Sequence, residues 1–216
     1  YRNRDASKLY IQNKDEALAY AIARMPATFG AVYRALGYSL EFMNDTDGPI
    51  TLLDIGAGTG AASWAARELL DLDSVVCIEY VDFMRNLGEA MMCFGDGGLR
   101  NSKWKSLNIA SDSIEDKADI VIASYVLNEL EVEDQLRVAK KLWQATDKIL
   151  LIVEPGTPQG YRVLKRIRQA FLELGAHVLA PCPHENDCPL TEDDWCHFTC
   201  RIQRNRLHKL AKGGDS

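Results

Sequence analysis

An apolar run that ends in alternating glycines, Leu52-Leu53-Asp54-Ile55-Gly56-Ala57-Gly58-Thr59-Gly60, constrains this chain more than any other stretch. Ile50, Leu52, Leu53 and Ile55 have the composition of a strand covered on both faces. Gly56 and Gly58 lack a Cβ, so the backbone can turn tightly and a ligand can lie against it. Ala61 to Leu72 then has helical composition, with its N-terminus facing whatever the turn holds. The next apolar run, Val75-Val76-Cys77-Ile78, ends at Glu79. That acid lies about 20 residues after the turn, where a carboxylate can accept hydrogen bonds from ribose hydroxyls.

Two cofactors share this layout. Gly56-x-Gly58-x-x-Ala61 satisfies the relaxed dinucleotide fingerprint, which would make the chain an NAD-binding oxidoreductase. Gly56-x-Gly58-x-Gly60, preceded by Asp54 at the strand end, resembles motif I of class I S-adenosylmethionine (SAM) methyltransferases. The turn also comes late in the chain, whereas NAD enzymes often open with theirs. The predicted cofactor residues are Asp54, Gly56, Ala57, Gly58, Gly60 and Glu79. The plain alternative is a glycine turn without a ligand.

From Ile50 onward strands and helices alternate. Expected strands are Ile50 to Ile55, Val75 to Tyr80, Trp104 to Asn108, Ile120 to Ser124 and Ile149 to Val153. Expected helices are Ala61 to Leu72, Phe83 to Cys93, Val132 to Ala145 and Gly160 to Leu174. In the last of these, Leu164, Ile167, Phe171 and Leu174 form the sheet-facing stripe. Such alternation predicts an α/β fold with a doubly wound, mainly parallel sheet and right-handed crossovers. Ligands then sit at the carboxyl ends of the strands, which adds Asn108 and Ser124 to the cofactor residues and brings Glu154 nearby. Before the sheet, Leu18, Ile22, Met25, Phe29, Val32 and Leu36 recur at helical spacing. Pro26 interrupts them, predicting two helices or a kinked one. Asn44 to Pro49 is a turn cluster.

With 216 residues and 24.2 kDa the chain suits one sizeable core with an appendage. It divides into an N-terminal helical extension (1–48), a cofactor domain (49–180) and a cysteine-rich, basic segment (181–216). No run is long and apolar enough to span a membrane, and no signal peptide is visible. The start at Tyr1 and the end in Gly213-Gly214-Asp215-Ser216 read as the edges of a fragment. A net charge of −6 argues against a generally sticky nucleic-acid binder. The charge is uneven, however. Arg201, Arg204, Arg206, Lys209 and Lys212 follow one another with no acid between, and Arg162, Lys165, Arg166 and Arg168 make a basic helix face. One basic sector on an acidic protein can bind phosphates there and be repelled elsewhere; the alternative is a solvated tail.

No catalytic group is identifiable. The strand end Ser124-Tyr125-Val126-Leu127-Asn128-Glu129-Leu130 has neither an Asn-Pro-Pro-Tyr motif for an exocyclic amine nor a Pro-Cys nucleophile. A Tyr-x-x-x-Lys dyad of NAD enzymes is also absent. Tyr125 and Asn128 either line a substrate or belong to the start of the next helix.

Cys182-x5-Cys188-x7-Cys196-x3-Cys200 places four of the six cysteines in one proline-rich stretch. Thiolates close in sequence on a loop with little core of its own suit a structural metal. The spacing fits zinc with mixed ligands, His184 and His197 being within reach, or a four-cysteine iron–sulfur cluster. The remaining alternative is four reduced cysteines in a loop.

Several stretches together carry a family resemblance. They are Arg24-Met25-Pro26-Ala27-Thr28, Leu53 to Gly60, Val153-Glu154-Pro155-Gly156-Thr157-Pro158, Ala180-Pro181-Cys182-Pro183-His184-Glu185 with Cys188, and Trp195-Cys196-His197-Phe198 with the basic run behind it. From about Asp15 to Lys212 the chain resembles the small-ribosomal-subunit methyltransferase-like family, which has mitochondrial and bacterial members. The resemblance implies a class I methyltransferase (Rossmann-like) fold that binds SAM and associates as a monomer with the small ribosomal subunit or its rRNA. It implies either a methyltransferase or an inactive assembly factor, in the mitochondrial matrix of a eukaryote or the cytoplasm of a bacterium. It also implies a 4Fe-4S cluster on Cys182, Cys188 and Cys196. In the mitochondrial members the implied fourth ligand lies much further along, past the end of this chain, so either Cys200 replaces it or it is missing from this fragment.

Overall fold

The computed structural model describes residues 11–42, 48–191 and 193–203, with Arg206 and Leu210. It begins with α1 (Lys14–Leu40), whose N-cap Asn13 accepts a bond from the Glu16 amide. Of the two outcomes expected at Pro26, two helices or a kinked one, the first does not occur: one helix runs through it. Proline removes one internal hydrogen bond, yet α1 buries Ala17 and Ala21 before it and Val32 and Leu36 after it. Burial on both sides outweighs the local penalty. Asn44 to Asp47 of the expected turn lie outside the described residues.

The alternating part follows as β1 (Ile50–Ile55), α2 (Ala61–Arg67), β2 (Leu72–Ile78), α3 (Asp82–Met92), a single turn α4 (Gly97–Arg100) and β3 (Lys103–Lys105). Then come β4 (Ala118–Ser124), a 3₁₀ turn Leu127–Glu129, α5 (Val132–Gln144), β5 (Thr146–Val153) and α6 (Pro158–Glu173). All five strands are parallel, in the order β3-β2-β1-β4-β5. This is the expected doubly wound α/β sheet, reversing direction between β1 and β4. The third strand is shorter and earlier than Trp104 to Asn108, and α2 stops well before Leu72. Leu72 instead opens β2.

Strand residues alternate between two apolar layers. Leu52, Val75, Cys77, Ile120, Ile122, Ile149 and Leu151 pack with α1, α2, Met92 and Leu99. Leu53, Ile55, Ile78, Val121 and Ala123 pack with α5 and α6. That two-sided burial is why the strands read as unbroken apolar runs. In α6 the buried stripe is Gly160, Val163, Ile167 and Phe171, whereas Leu174 is 53% exposed. The expected stripe therefore held two right residues, Ile167 and Phe171, and placed its ends wrongly. Among the described residues no helix is long and apolar enough to cross a membrane. After Glu173 the described chain is irregular up to residue 203. Arg204, His208, Lys209 and Lys212 of the basic run lie outside the described residues.

Candidate cofactor site at the carboxyl edge

The turn after β1 holds Gly56, Gly58 and Gly60 at φ +63°, +59° and +82°. L side chains rarely adopt such a conformation. At Gly56 space is limiting too, because a Cβ there would overlap the Val126 side chain. Gly56 and Val126 leave the two strands that flank the switch point, so the crevice closes at its floor only because Gly56 has no side chain. Above Gly58 the one neighbour of such a Cβ is the Met84 methyl, at 3.5 Å. The Ala57 amide donates to Ile78 O at 3.0 Å, and Gly60 N donates to Ala57 O at 2.7 Å, which sets the sharpness of the turn.

Glu79 ends β2 inside this turn. Its Oε2 accepts from Gly58 N and its Oε1 from Val81 N, each at 2.8 Å. Burial raises its pKa above the usual carboxylate range, against the pull of those two amides. Beside it, Ile11, Gln12, Tyr80, Val81, Asp82, Phe83 and Ser106 line an open pocket of about 530 Å³. The sequence pattern did not locate that pocket, because part of its wall comes from Ile11 and Gln12, just before α1, and from Ser106, just after β3.

Asp54 stands near the end of β1, next to the glycine turn. It is fully buried, and its Oδ2 accepts from Ser63 Oγ at 2.7 Å and Ser63 N at 3.1 Å. Ser63 is in the first turn of α2, so Asp54 satisfies an otherwise unbonded helix amide and fixes α2 under the glycine turn. Its Oδ1 is buried with no hydrogen-bond partner among the described residues. Burial pushes its pKa up to about 7, partly offset by the Ser63 bonds. Ser63 Oγ also lies 3.5 Å from Cys77 Sγ. Asp54 therefore supports the turn from beneath.

Of the other predicted positions, Ser124 is buried at the end of β4. Asn108 is exposed and spends its side chain inside its own loop, accepting from Ala110 N at 3.0 Å. Glu154 holds the turn after β4: it accepts from Leu127 N at 2.9 Å and from the Asn128 side-chain amide. Burial raises its pKa to about 7. Asn128 is thus tied to Glu154, and Leu127 is fully buried. Tyr125 stands between them at φ +62°, a strained value for a residue with a side chain. From α1, Tyr20 and Arg24 face this edge. Arg24 acts electrostatically on Tyr125, and Tyr20 is influenced by Glu79 and Glu129. Sequence spacing gave no signal for Tyr20, whereas Arg24 opens the stretch from Arg24 to Thr28, one of those that carry the family resemblance.

The cysteines divide into two places. Cys182 and Cys188 both raise the pKa of Cys196, behind the larger effect of its burial. The Tyr161 hydroxyl lies 3.3 Å from Cys188 Sγ and lowers that thiol's pKa. Cys200 instead lies against Gly30 of α1 and influences Tyr125. Among the described residues no three of His, Cys, Asp and Glu are grouped to hold a metal ion. The set Cys182, Cys188, Cys196 and Cys200 is not assembled as ligands.

Two of the basic α6 residues have structural partners. Lys165 Nζ donates to Leu190 O at 3.1 Å, and Arg168 donates to His184 O at 2.7 Å and Asn186 O at 2.9 Å. They pin the cysteine loop to α6. Arg162 and Arg166 are exposed or half-exposed on the same helix.

The family described as mitochondrial small ribosomal subunit Rsm22 matches residues 14–216. The chain belongs to the Rsm22 family. The human mitochondrial ribosome assembly protein METTL17 is 29% identical over 202 residues, which cover 85% of this chain and 43% of METTL17. The mitochondrial Rsm22-cox11 tandem protein 2 of Schizosaccharomyces pombe is 25% identical over 193 residues, 81% of this chain and 26% of that protein. This Rsm22 chain therefore spans less than half the length of either relative. Among solved structures, the glycopeptide N-methyltransferase MtfA complexed with SAM overlaps 56% of this chain and 53% of its own, at 13% identity and TM-score 0.47. The plantazolicin methyltransferase BpumL in complex with S-adenosylhomocysteine overlaps 74% and 57%, at 16% identity and TM-score 0.49.

Proposed function

We propose that this chain is the SAM-binding, methyltransferase-like part of a protein that works with the small ribosomal subunit during its assembly. The observation that carries the reading is the glycine turn at the switch point, with Glu79 bonded to its central amide, in a member of the Rsm22 family. Bound SAM would supply a methyl group on a sulfonium. Gly56, Ala57, Gly58 and Gly60 would present backbone to its amino-acid part, and Glu79 would accept from its ribose hydroxyls. The pocket beside Tyr80 to Phe83 would take the base. Asp54 positions α2 beneath.

Among the described residues, the buried acid beside Asn128 is not free to act as a general base. Glu154 is occupied by Leu127 and Asn128, and its burial leaves it largely protonated below pH 7. The assembly role therefore does not depend on methyl transfer in this reading. Calorimetry with SAM and with NAD tests it: SAM is expected to bind and NAD not. Binding of NAD alone would make the chain a dinucleotide protein instead.

The rRNA of the small subunit is the partner we assign to Arg162, Arg166 and Arg201, with the protein monomeric in the compartment where that subunit is built. We also propose a metal centre on Cys182, Cys188 and Cys196, the first two of which act electrostatically on the third, with Cys200 left out. The described residues are not grouped as ligands, so the metal would have to draw the three thiols together. Iron–sulfur and zinc are told apart by colour and metal analysis of anaerobically purified protein. Metal-free protein of unchanged stability would remove the centre altogether.

A further inference from the structure

The segment after the cysteine loop runs along the carboxyl edge and touches two glycines far apart in sequence. At one end, Trp195 Nε1 donates to Gly156 O at 3.3 Å. His197 Cβ lies 3.1 Å from where a Cβ on Gly156 would stand, and its ring stacks on Trp195. Gly156 follows directly on the β5 exit. At the other end, Ile202 fills the space that a side chain on Gly30 would need, with Cys200 Sγ 3.5 Å from that point. Gly30 is a buried residue of α1. The segment therefore ties the end of β5 to the middle of α1.

What it ties down matters for the cofactor site. Ile11 and Gln12, just before the N-cap of α1, line the pocket beside Glu79. Tyr20 and Arg24 of α1 act electrostatically on Tyr125, directly after β4. Four residues before Gly30, Pro26 deprives the helix of an internal hydrogen bond. A helix weakened there needs an outside support to keep one direction, and Ile202 supplies it just past that point.

We propose that Trp195, His197 and Ile202 are positioning residues of the cofactor site, a strap that fixes α1 over the carboxyl edge. The proposal rests on the SAM reading. Its consequence is reciprocal: if strap docking favours SAM binding, SAM must favour strap docking by the same factor. A strap that served only to stabilise the fold would not respond to SAM.

The test uses the full chain, with thiol alkylation of Cys200 followed peptide by peptide in the mass spectrometer and with calorimetric titration of SAM. Gly30→Val displaces Ile202 and leaves the glycine turn untouched. The expected result is that SAM slows Cys200 labelling in the wild type. In Gly30→Val, labelling speeds up and SAM affinity falls by about tenfold or more. Trp195→Ala, which frees the other end, acts in the same direction and serves if Gly30→Val does not fold. Cys200 labelling indifferent to SAM, or freed straps that bind SAM as tightly as the wild type, would overturn the proposal. A wild type that binds no SAM fails the cofactor reading itself and takes the proposal with it, and that outcome is separate from equal binding by all three proteins.

Discussion

The amide of Gly58 donates to Oε2 of Glu79 across 2.8 Å, joining the turn after β1 to the exit of β2. The acid that would hold a ribose is thus also the group that shapes the loop beneath the cofactor. Its other oxygen takes the Val81 amide, so one carboxylate orders both walls of the crevice.

Removing that carboxylate has two effects. Glu79→Ala takes away an acceptor of cofactor hydroxyls and leaves two amides unbonded. SAM affinity should fall by about 1.5–3 kcal/mol, the worth of a hydrogen bond to a charged group. Glu79→Gln keeps one acceptor and should lie between. Calorimetry at fixed pH measures both, and full affinity in the alanine variant would exclude Glu79 from the site.

Asp54 gives a pH dependence whose sign can be worked out. Its folded pKa of about 7 stands well above the ordinary aspartate value of 3.8. Below about pH 4 it is protonated folded or unfolded and costs nothing. As pH rises from there to about 7, only the unfolded chain ionises freely, so stability is lost, and the full loss applies above pH 7. The effect is on the order of 4 kcal/mol at most. Asp54→Asn, which keeps an acceptor for Ser63, should gain on the wild type between about pH 4.5 and about pH 8 in urea denaturation. A constant difference across that range would mean Asp54 is not the group responsible.

The sheet was legible because strands with both faces buried have no polar alternation to confuse them, and Ile50 to Ile55 is the plain case. The glycine turn was legible because Gly56 and Gly58 do what few other residues can. What could not be read was tertiary. Pro26 signals a break, and only the burial of Val32 and Leu36 on the sheet shows why none occurs. The depth of Asp54, fully buried against Ser63, could not be read either, because the pattern carries no information on depth. The arginines and lysine of α6 looked alike, although neighbouring positions on that helix end on a loop carbonyl or in solvent. Gly30 and Gly156 gave no signal, since the side chains that fill the space beside them, Ile202 and His197, come from a distant part of the chain.

Gly56 should tolerate no side chain. At φ +63° a Cβ is strained by about 1 kcal/mol or more, and here it would also meet Val126. Gly56→Ala should therefore destabilise the fold by about 2 kcal/mol, and Val126→Ala in the same chain should recover part of the loss. Denaturant midpoints measure both. Additive effects of the two changes would show that the two residues do not meet.

The basic face of α6 separates into anchors and free charges, and the two should behave differently toward RNA. Lys165 and Arg168 donate to carbonyls of Leu190, His184 and Asn186. Arg162 and Arg166 make no such anchor to the cysteine loop among the described residues. Surface arginines of that kind can neutralise phosphates, releasing counterions and making affinity salt-dependent. Changing Arg162 and Arg166 together to Glu should weaken binding to every RNA at low salt. It should also flatten the salt dependence by roughly one unit of slope for each phosphate no longer neutralised. Arg168→Ala should instead loosen the cysteine loop, seen as faster proteolysis between His184 and Leu190, with a smaller change in RNA affinity. RNA binding that ignores the double change would leave those arginines as a solvated face. If Arg168→Ala weakened RNA binding as much as the double change, the cysteine loop itself would be part of the RNA surface, held there by its anchors.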